Sequence, residues 1–573
     1  MNRWVIYLKT VLRHPVRAFI ALFWRCLGKK IRAKNHFGAM MTHVTKHYVV
    51  WQILMENMSA SCKNQLLAQI DKDIVKPKIG VFLTGNTDNE GFRHSTAASL
   101  EGQWLAHFEL ISGEDIPPDC QYVTWIKAGD QLSADAVLRM TIAIIQEGSP
   151  DILYSDEDLI DQKGRRRFAH FKPQWNYELL KVCDYIGGLC LIKLEALKSC
   201  AIELDCHHWS ARYEALLSLG RRKFNGETIT VKHVPHVLYH RRRTQRQIEY
   251  LVPQVAEKNI QHHFLDGEES IAGIVNGHFG FPRFQHVLPS PQPLVSIIVC
   301  TFDALHLLKP CIRSVLDKST YQNFEIIIVD NGSQQPETID WLHAISSDDR
   351  VRVIRDDQPF NFSALNNRAV EQAAGDYICL LNNDTEVIDP EWLDEMMAYA
   401  VQPHVGAVGA QLLYADNRIQ HAGVIMGLGR VAGHGHRFLN LDDAGYFYRA
   451  HLPQEITAVT AACLVVSKAK YDEVGGLNER ELVVAFNDVD FCLKLDEIGY
   501  KNIYTPYARL YHYESKSRGK DIKGEKRARY LREVSWMKER WKTATKVDRF
   551  YHPELTIKSE DFAVRITDTD GFS

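Results

Sequence analysis

At 573 residues, 45% hydrophobic and 24% charged, the chain has the composition of a soluble globular protein and is too long for one ordinary domain, so two or three are expected. A formal net charge of −3 excludes the basic balance of a general nucleic-acid binder. The 12 cysteines form no CxxC pair, which speaks against a zinc site or a disulfide framework and for free thiols in a reducing compartment.

The first element is basic. No Asp or Glu occurs from Met1 to Met55, while "MNRWVIYLKTVLRHPVRAFIALFWRCLGKKIRAK" is dense in Arg and Lys. Its longest apolar run, Ala18 to Trp24, is far short of the roughly 20 residues that span a bilayer. It also lacks the small-residue cleavage site of a secretory signal. Trp4, Val5, Tyr7, Leu8, Val11 and Leu12 recur at helical spacing, as do Phe19, Leu22 and Phe23. Residues 1–55 therefore read as an interfacial amphipathic segment attracted to anionic lipid. The alternative is a basic helix packed on protein.

The polar stretch Glu56 to Lys78 reads as helical or linking, and "KIGVFLTGN" opens a first domain, 75–265, of alternating strand and helix patterns. The Gly- and Pro-rich "NGHFGFPRFQHVLPSPQPL" marks a linker at 266–293. A second domain, 294–520, starts with "VSIIVCTFDALHLLKPCIRSVL", a β-branched run followed by a helix-period pattern. "FEIIIVDNGS", "VRVIRDD" and "YICLLNND" add further strands. Strands alternating with helices predict βαβ units and an α/β fold with a mostly parallel sheet. Ligands in such sheets sit at the carboxyl ends of the strands, where Asp303, Asp330 and Asp384 all fall. Residues 521–573 read as a helical tail, its charged helix exposed or packed on the second domain.

The chain contains an internal duplication. "WIKAGDQLSADAVLRM" aligns with "LLNNDTEVIDPEWLDEM", "YIGGLCLIKLEALKSC" with "VTAACLVVSKAKYDEVGG", and "VKHVPHVLYHRR" with "KNIYTPYARLYHYES", in the same order. The halves differ where chemistry would lie. The second has "FNDVDFCLKL", with Asp488 and Asp490; the first has "WSARYEALLSL" and no "VDNGS". The first half is expected to be catalytically degenerate.

Seven motifs in sequence, "VSIIVCTFD", "IIIVDNGS", "NFSALNNRAV", "LLNNDTEV", "TAVTAACLVV", "NDVDFCLKL" and "LYHYES", resemble family 2 glycosyltransferases of the GT-A fold, in the rhamnosyltransferase-like branch that builds bacterial surface polysaccharides. "YSDEDLIDQKGRRRFAHFKPQWN" in the first half is similar to two-domain proteins of this kind. The resemblance implies two GT-A-like (Rossmann-like) domains in tandem, the second catalytic. It implies nucleotide contacts at Thr301, Asp303 and Asp330, with Asp303 standing where the family often has Asn. It places a DxD-type element at Asn382, Asn383 and Asp384, with Asp384 holding Mg2+ or Mn2+ against the diphosphate. Such hard cations take oxygen ligands and commonly bridge phosphates. Asp488 would be the general base that accepts the acceptor hydroxyl's proton, with Asp490 as a supporting or helix-start residue. His512 would be a second metal ligand, and His240 its structural counterpart in the first half, where Gly129–Asp130 keeps one acid of the element.

"QHAGVIMGLGRVAGHGHRF" reads as a mobile Gly- and His-rich loop closing over substrate. His421, His434 and His436 lack the Cys or carboxylate companions of a zinc site. The expected activity is inverting transfer from dTDP-rhamnose or a UDP-sugar to a lipid-linked or glycan acceptor, at the cytoplasmic face of a bacterial inner membrane, with no nucleic-acid partner. The rivals are a non-catalytic carbohydrate-binding or scaffold subunit and a nucleotidyltransferase. The second rival lacks its expected phosphate loop, because "CTFDALHLL" is neither Gly-rich nor basic.

Overall fold

Two sheets, one in each half of the chain, carry the fold, and their strands follow one order. In the first half it runs Phe108–Ile111, Lys78–Thr84, Cys120–Lys127, Cys190–Lys193, Ile152–Ile160, Val231–Arg242 and Gln131–Leu132. In the second it runs Phe324–Asp330, Val295–Thr301, Tyr377–Leu381, Cys463–Ser467, Val405–Leu413, Lys501–His512 and Thr385–Val387, with Val351–Arg355 added at the outer edge. Corresponding neighbours pair in the same sense. The first three strands are mutually parallel, the fourth is antiparallel, and the sixth is parallel to the fifth. The duplication in the sequence is thus a duplication of topology. The structure, a computed structural model, describes residues 11–12, 15–29, 33, 48–49, 51–52, 56, 58–70, 75–85, 89–111, 115–161, 163–200, 208–224, 226–242, 271–514 and 524–565.

Parallel pairing joins four strands at one side of the second sheet, but the sheet as a whole is mixed, because Cys463–Ser467 runs against both its neighbours. The run "CLVVS" is buried on both faces, so its direction leaves no mark in the pattern. The parallel strands are likewise almost continuously buried. Alternate side chains enter two cores: Ile298 joins Leu365 and Phe491 on one face, while Ile297 and Val299 join Leu308, Ile312 and Met396 on the other. Helices Phe362–Glu371 and Asn487–Glu497 cover the first face, and Leu305–Lys318 and Trp392–Ala400 the second.

The stretch expected as a linker contains an antiparallel hairpin, Ile271–Asn276 with Pro282–His286. Phe281 and Phe284 enter the first half's core, and Arg283 pairs with Glu395 of the second half at 3.0 Å. The tail has one helix, Gly524–Trp541, seated through Met537 and Trp541 on the second half's core. Tyr551, Leu555, Ile557 and Phe562 beyond it pack with Ala169 and Phe171 of the first half, Ile425 and Leu428 of the second, and Tyr48 and Trp51 near the amino terminus. Polar contacts join the halves as well, with Asn176 and Glu455 exchanging two hydrogen bonds of 2.8 and 3.0 Å.

The strand Ile152–Ile160 buries three successive acids, each with its own partners. Asp156 lies between His233 at 2.9 Å and His552 of the tail at 2.8 Å. Glu157 meets Lys172 and Arg241, and Asp158 meets Arg166 and His240. His552 Nδ1 accepts the Glu554 N–H at 3.0 Å, so Nε2 carries the ring proton and faces Asp156. Asp156 Oδ1 is hydrogen-bonded to His233, while Oδ2 and His552 Nε2 approach to 2.8 Å without hydrogen-bond geometry, so a close polar contact between buried groups ties the tail to this strand. All cysteines among the described residues are free.

Candidate active site

The carboxyl ends of the second sheet gather most of the residues singled out in the sequence. Thr301 and Asp330 stand opposite one another in register. Asn383 donates to Thr301 Oγ1 at 3.1 Å, linking the 382–384 turn to the first strand. The Asp303 N–H donates to Ser333 Oγ at 2.8 Å, and the Ser333 N–H donates to Asp330 Oδ1 at 2.9 Å. Thr301, Asp303, Asp330 and Asn383 thus share one hydrogen-bonded edge.

Within that edge the acids differ. Asp303, in the left-handed region at φ 48°, accepts the N–H groups of Gln334 and Gln335 at 2.9 Å each, just ahead of helix Pro336–Ile345. Its carboxylate orders a loop. Asp330 is buried, and its second oxygen takes the Arg355 guanidinium at 2.7 Å. Arg355 also donates to Ser333 O at 3.0 Å and remains 45% exposed, so a cation stands at the lip of this edge. The sequence reading passed over Arg355, whose only signal is its place at the end of "VRVIR". It also passed over Phe302, a 53% exposed aromatic between Thr301 and Asp303, which offers a stacking face at a strand end.

Asp384 is buried, and its Oδ1 lies 3.1 Å from His512 Nε2. Strand pairing brings them together, since Thr385 is in register with His512. His512 Nδ1 is 2.7 Å from Gln420 Oε1, while Gln420 Nε2 points at the His512 and Glu514 oxygens. The amide's two contacts fix its orientation, so Nδ1 carries the proton and the Nε2 lone pair faces Asp384. Asp384 Oδ1 and His512 Nε2 lie close enough to reach one cation beside them, and a carboxylate oxygen with an imidazole nitrogen is a donor set that Mn2+ accepts. Asn382 Nδ2 lies 3.3 Å from the same Nε2. The residues present therefore fit a divalent cation.

Asp488 opens helix Asn487–Glu497, where the helix dipole favours negative charge. Asn487 anchors that turn by donating to Ser363 Oγ at 3.0 Å. Asp488 accepts the Ala461 N–H at 3.1 Å and the Val489 N–H at 2.9 Å, while the Asn382 N–H donates to Ala462 O at 3.0 Å. The strand approach 460–462 thus holds the base candidate and the 382–384 turn side by side. Burial pushes the Asp488 carboxyl above the ordinary range against these donors, a bias toward proton acceptance. Asp490, on the far side of the helix, accepts from Trp541 at 2.8 Å.

The stretch read as a mobile loop is folded. Val424–Met426 and Ala432–His434 form a hairpin, pinned by hydrogen bonds to Ile557 and Glu560 of the tail. His421 and His434 meet Nδ1 to Nδ1 at 2.8 Å, and His436 stacks on Phe562. Burial pushes His421 down to about 3, so this pair is neutral and structural.

The first half's counterpart is filled by its own chain. Gln131 is in register with His240, as Thr385 is with His512. Asp130 accepts Tyr239 O–H and Arg242 N–H, each at 2.7 Å. The Arg242 side chain crosses Gly129, whose added Cβ would meet Nε at 3.0 Å. His240 turns to Asp158 Oδ1 at 2.8 Å. Helix Trp209–Phe224 has no acid in its first turn, and its Arg212 is buried against Asp184.

Residues 296–465 match glycosyl transferase family 2. Over 451 residues the chain is 42% identical to y4gI, an uncharacterized protein of Sinorhizobium fredii, covering 77% of this chain and 49% of that one. Over 550 residues it is 31% identical to the O-antigen biosynthesis protein RfbC of Myxococcus xanthus, covering 93% of this chain and 41% of that one. The chain thus spans about half the length, or less, of these curated relatives. Among solved structures, GalNAc-T7 with UDP, GalNAc and Mn2+ aligns with 45% of this chain and 49% of that one, at 14% identity and a TM-score of 0.35. Residues 296–465 are thus the part of the chain that matches glycosyl transferase family 2, and the seven motifs run through and beyond them.

Proposed function

We propose that the second half transfers a sugar, with inversion, from a nucleotide-diphospho-sugar to a glycan or lipid-linked acceptor in bacterial surface-polysaccharide synthesis, with dTDP-rhamnose or a UDP-sugar as donor. The observation that carries this reading is the juxtaposition of the Asp384–His512 pair with Asp488 through the 460–462 segment. Asp488 Oδ accepts the acceptor hydroxyl's proton while that oxygen bonds to the anomeric carbon and the bond to the diphosphate oxygen breaks. Thr301, Asp330, Arg355 and the ring of Phe302 orient the nucleoside, and Asn382 and Asn383 shape the turn beneath the diphosphate. Asp384 and His512 would hold Mg2+ or Mn2+, which when bound neutralises charge on the leaving diphosphate. Incubation with a panel of nucleotide sugars, a lipid-like acceptor and either metal, read by mass spectrometry, tests the assignment. Transfer that survives Asp488→Asn unchanged would sink the assigned base.

The amino-terminal segment fits attachment to the inner face of the membrane. Helix Pro15–Cys26 leaves Val16, Phe19, Leu22 and Phe23 exposed, at 71, 70, 59 and 50%, with Arg25 and Lys29 beside them. No helix among the described residues is long and apolar enough to cross a bilayer. Apolar side chains with basic neighbours suit an anionic interface. Sedimentation with phosphatidylglycerol vesicles, lost on deleting residues 1–29, is the expected result. For the first half the scaffold reading is favoured, because both Asp130 oxygens and the Arg242 side chain close its counterpart site.

A further inference from the structure

A cavity of about 520 Å³ opens on the opposite side of the catalytic helix from Asp488, between helix Phe362–Glu371, the 475–480 turn, helix Asn487–Glu497 and helix Gly524–Trp541. Its volume falls within the roughly 300–1,000 Å³ of small-molecule sites. Asp488 and Asp490 are two positions apart on one helix, about 200° around its axis, so the carboxylate that lines the cavity faces away from the base.

That carboxylate is the telling feature. Asp490 is 1% exposed, and its Oδ1 accepts from Trp541, but its Oδ2 has no hydrogen-bond partner. The nearest cation, Lys494 Nζ, is 3.9 Å away and already donates to Val474 O and Gly476 O. A buried acceptor left in this state is costly unless something else supplies a donor. Trp536 packs one side on the core and lines the cavity with the other. Its indole N–H, the Asn478 amide N–H groups and the Arg480 guanidinium have no partner among the described residues.

The lining selects a ligand class. Four carboxylates face three cations, so a phosphate-rich ligand would meet net negative charge. A lipid chain would leave this polar lining without hydrogen bonds. A saccharide presents hydroxyls that both donate and accept, and a C–H face that stacks on an indole. We propose that this cleft is a glycan subsite, holding a stretch of the polysaccharide chain one helix-width behind the reacting hydroxyl. The proposal rests on the glycosyltransferase reading above.

The test uses the full chain and oligosaccharides released by mild acid from the lipopolysaccharide of the bacterium that makes the protein, with binding followed by tryptophan fluorescence and saturation-transfer NMR. The expected result is binding by the wild type and by Asp488→Asn, weakened at least tenfold by Trp536→Ala and at least threefold by Arg480→Ala. Arg480 is exposed and makes no side-chain hydrogen bond or ion pair among the described residues, so its variant keeps the test open if Trp536→Ala does not fold. No binding by the wild type, equal binding by both cleft variants, or loss in Asp488→Asn would each overturn the subsite. Uridine and thymidine diphosphate with Mn2+ are titrated into the same samples. Nucleotide binding without oligosaccharide binding removes the cleft and leaves the enzyme reading, and the reverse outcome removes the donor site alone.

Discussion

Asp130 in the first half and Asp384 in the second end equivalent turns beside equivalent strands, and each has a histidine at the matching place on its neighbour. Around Asp384 the oxygen faces an imidazole lone pair held in position by Gln420. Around Asp130 a tyrosine hydroxyl and a backbone N–H occupy both oxygens, and the histidine has turned to a different acid. Topology is shared, so it does not decide chemistry. What differs between the halves is which neighbours take the acid's lone pairs, and in the first half a structural hydrogen-bond network takes them.

The comparison is open to direct attack. Its largest expected effect is in Asp488→Asn, which should lower turnover by about 10²- to 10⁴-fold, the usual range for a positioned general base, while nucleotide binding by calorimetry stays unchanged. Asp130→Asn should leave turnover as it is, and a loss rivalling that of Asp384→Asn would break the contrast between the halves. Because burial raises the Asp488 carboxyl, and the base works only when ionised, turnover should fall on the acid side at a higher pH than for an ordinary carboxylate near 4. Asp488→Asn should abolish that limb and keep or raise the melting temperature, since the folded state then no longer carries a charge whose burial is unfavourable.

In the first half, acids should register as stability instead of turnover. Asp156→Asn should cost about 3 kcal/mol in denaturant unfolding by breaking a buried polar contact. Burial pushes the Asp156 carboxyl up, but the His552 and His233 imidazoles outweigh it and hold it well below the carboxylate range. A depressed folded value contributes stability that is present above the ordinary Asp value of about 4 and lost as pH falls below it. The wild type should therefore lose more stability than Asp156→Asn between pH 5 and 2, as two unfolding series would reveal.

A smaller effect sharpens the second half. Gln420→Ala frees His512 to turn and should weaken metal-dependent nucleotide binding about 10- to 100-fold, as loss of an orienting partner does elsewhere. Smallest is Asp303→Asn, expected to change stability by only a few tenths of a kcal/mol, because an Asn oxygen accepts the Gln334 and Gln335 N–H groups as well as an Asp oxygen does. A large loss of activity in that variant would give Asp303 a direct role at the nucleotide beyond ordering its loop.

Much of the site was legible because it is written in local pattern. Strands ending in "CTFD", "VDNGS" and "LLNND" put their acids at one edge wherever parallel strands align, and "NDVDF" announces a helix start rich in acid. The engagement of those acids was not legible. Gln420 reaches His512 across 92 positions, Arg355 meets Asp330 across 25, and the contact on Asp156 comes from His552 at the other end of the chain. A Gly-rich stretch read as mobile is a hairpin because tail residues beyond 550 lie on it, and the expected linker is a hairpin because its two phenylalanines complete the first half's core.

The amino-acid sequence by itself determined most of the strands and helices, the duplication and the resemblance to a known family, since these follow from periodicity, β-branched runs, turn chemistry and motif order, all encoded within a few residues. Tertiary structure alone decided which acids have their oxygens taken by neighbours, where the cleft behind helix Asn487–Glu497 lies, and how the tail joins the halves. Those depend on side chains brought together from distant parts of the chain, where a single lone pair satisfied or left open changes what a residue can do.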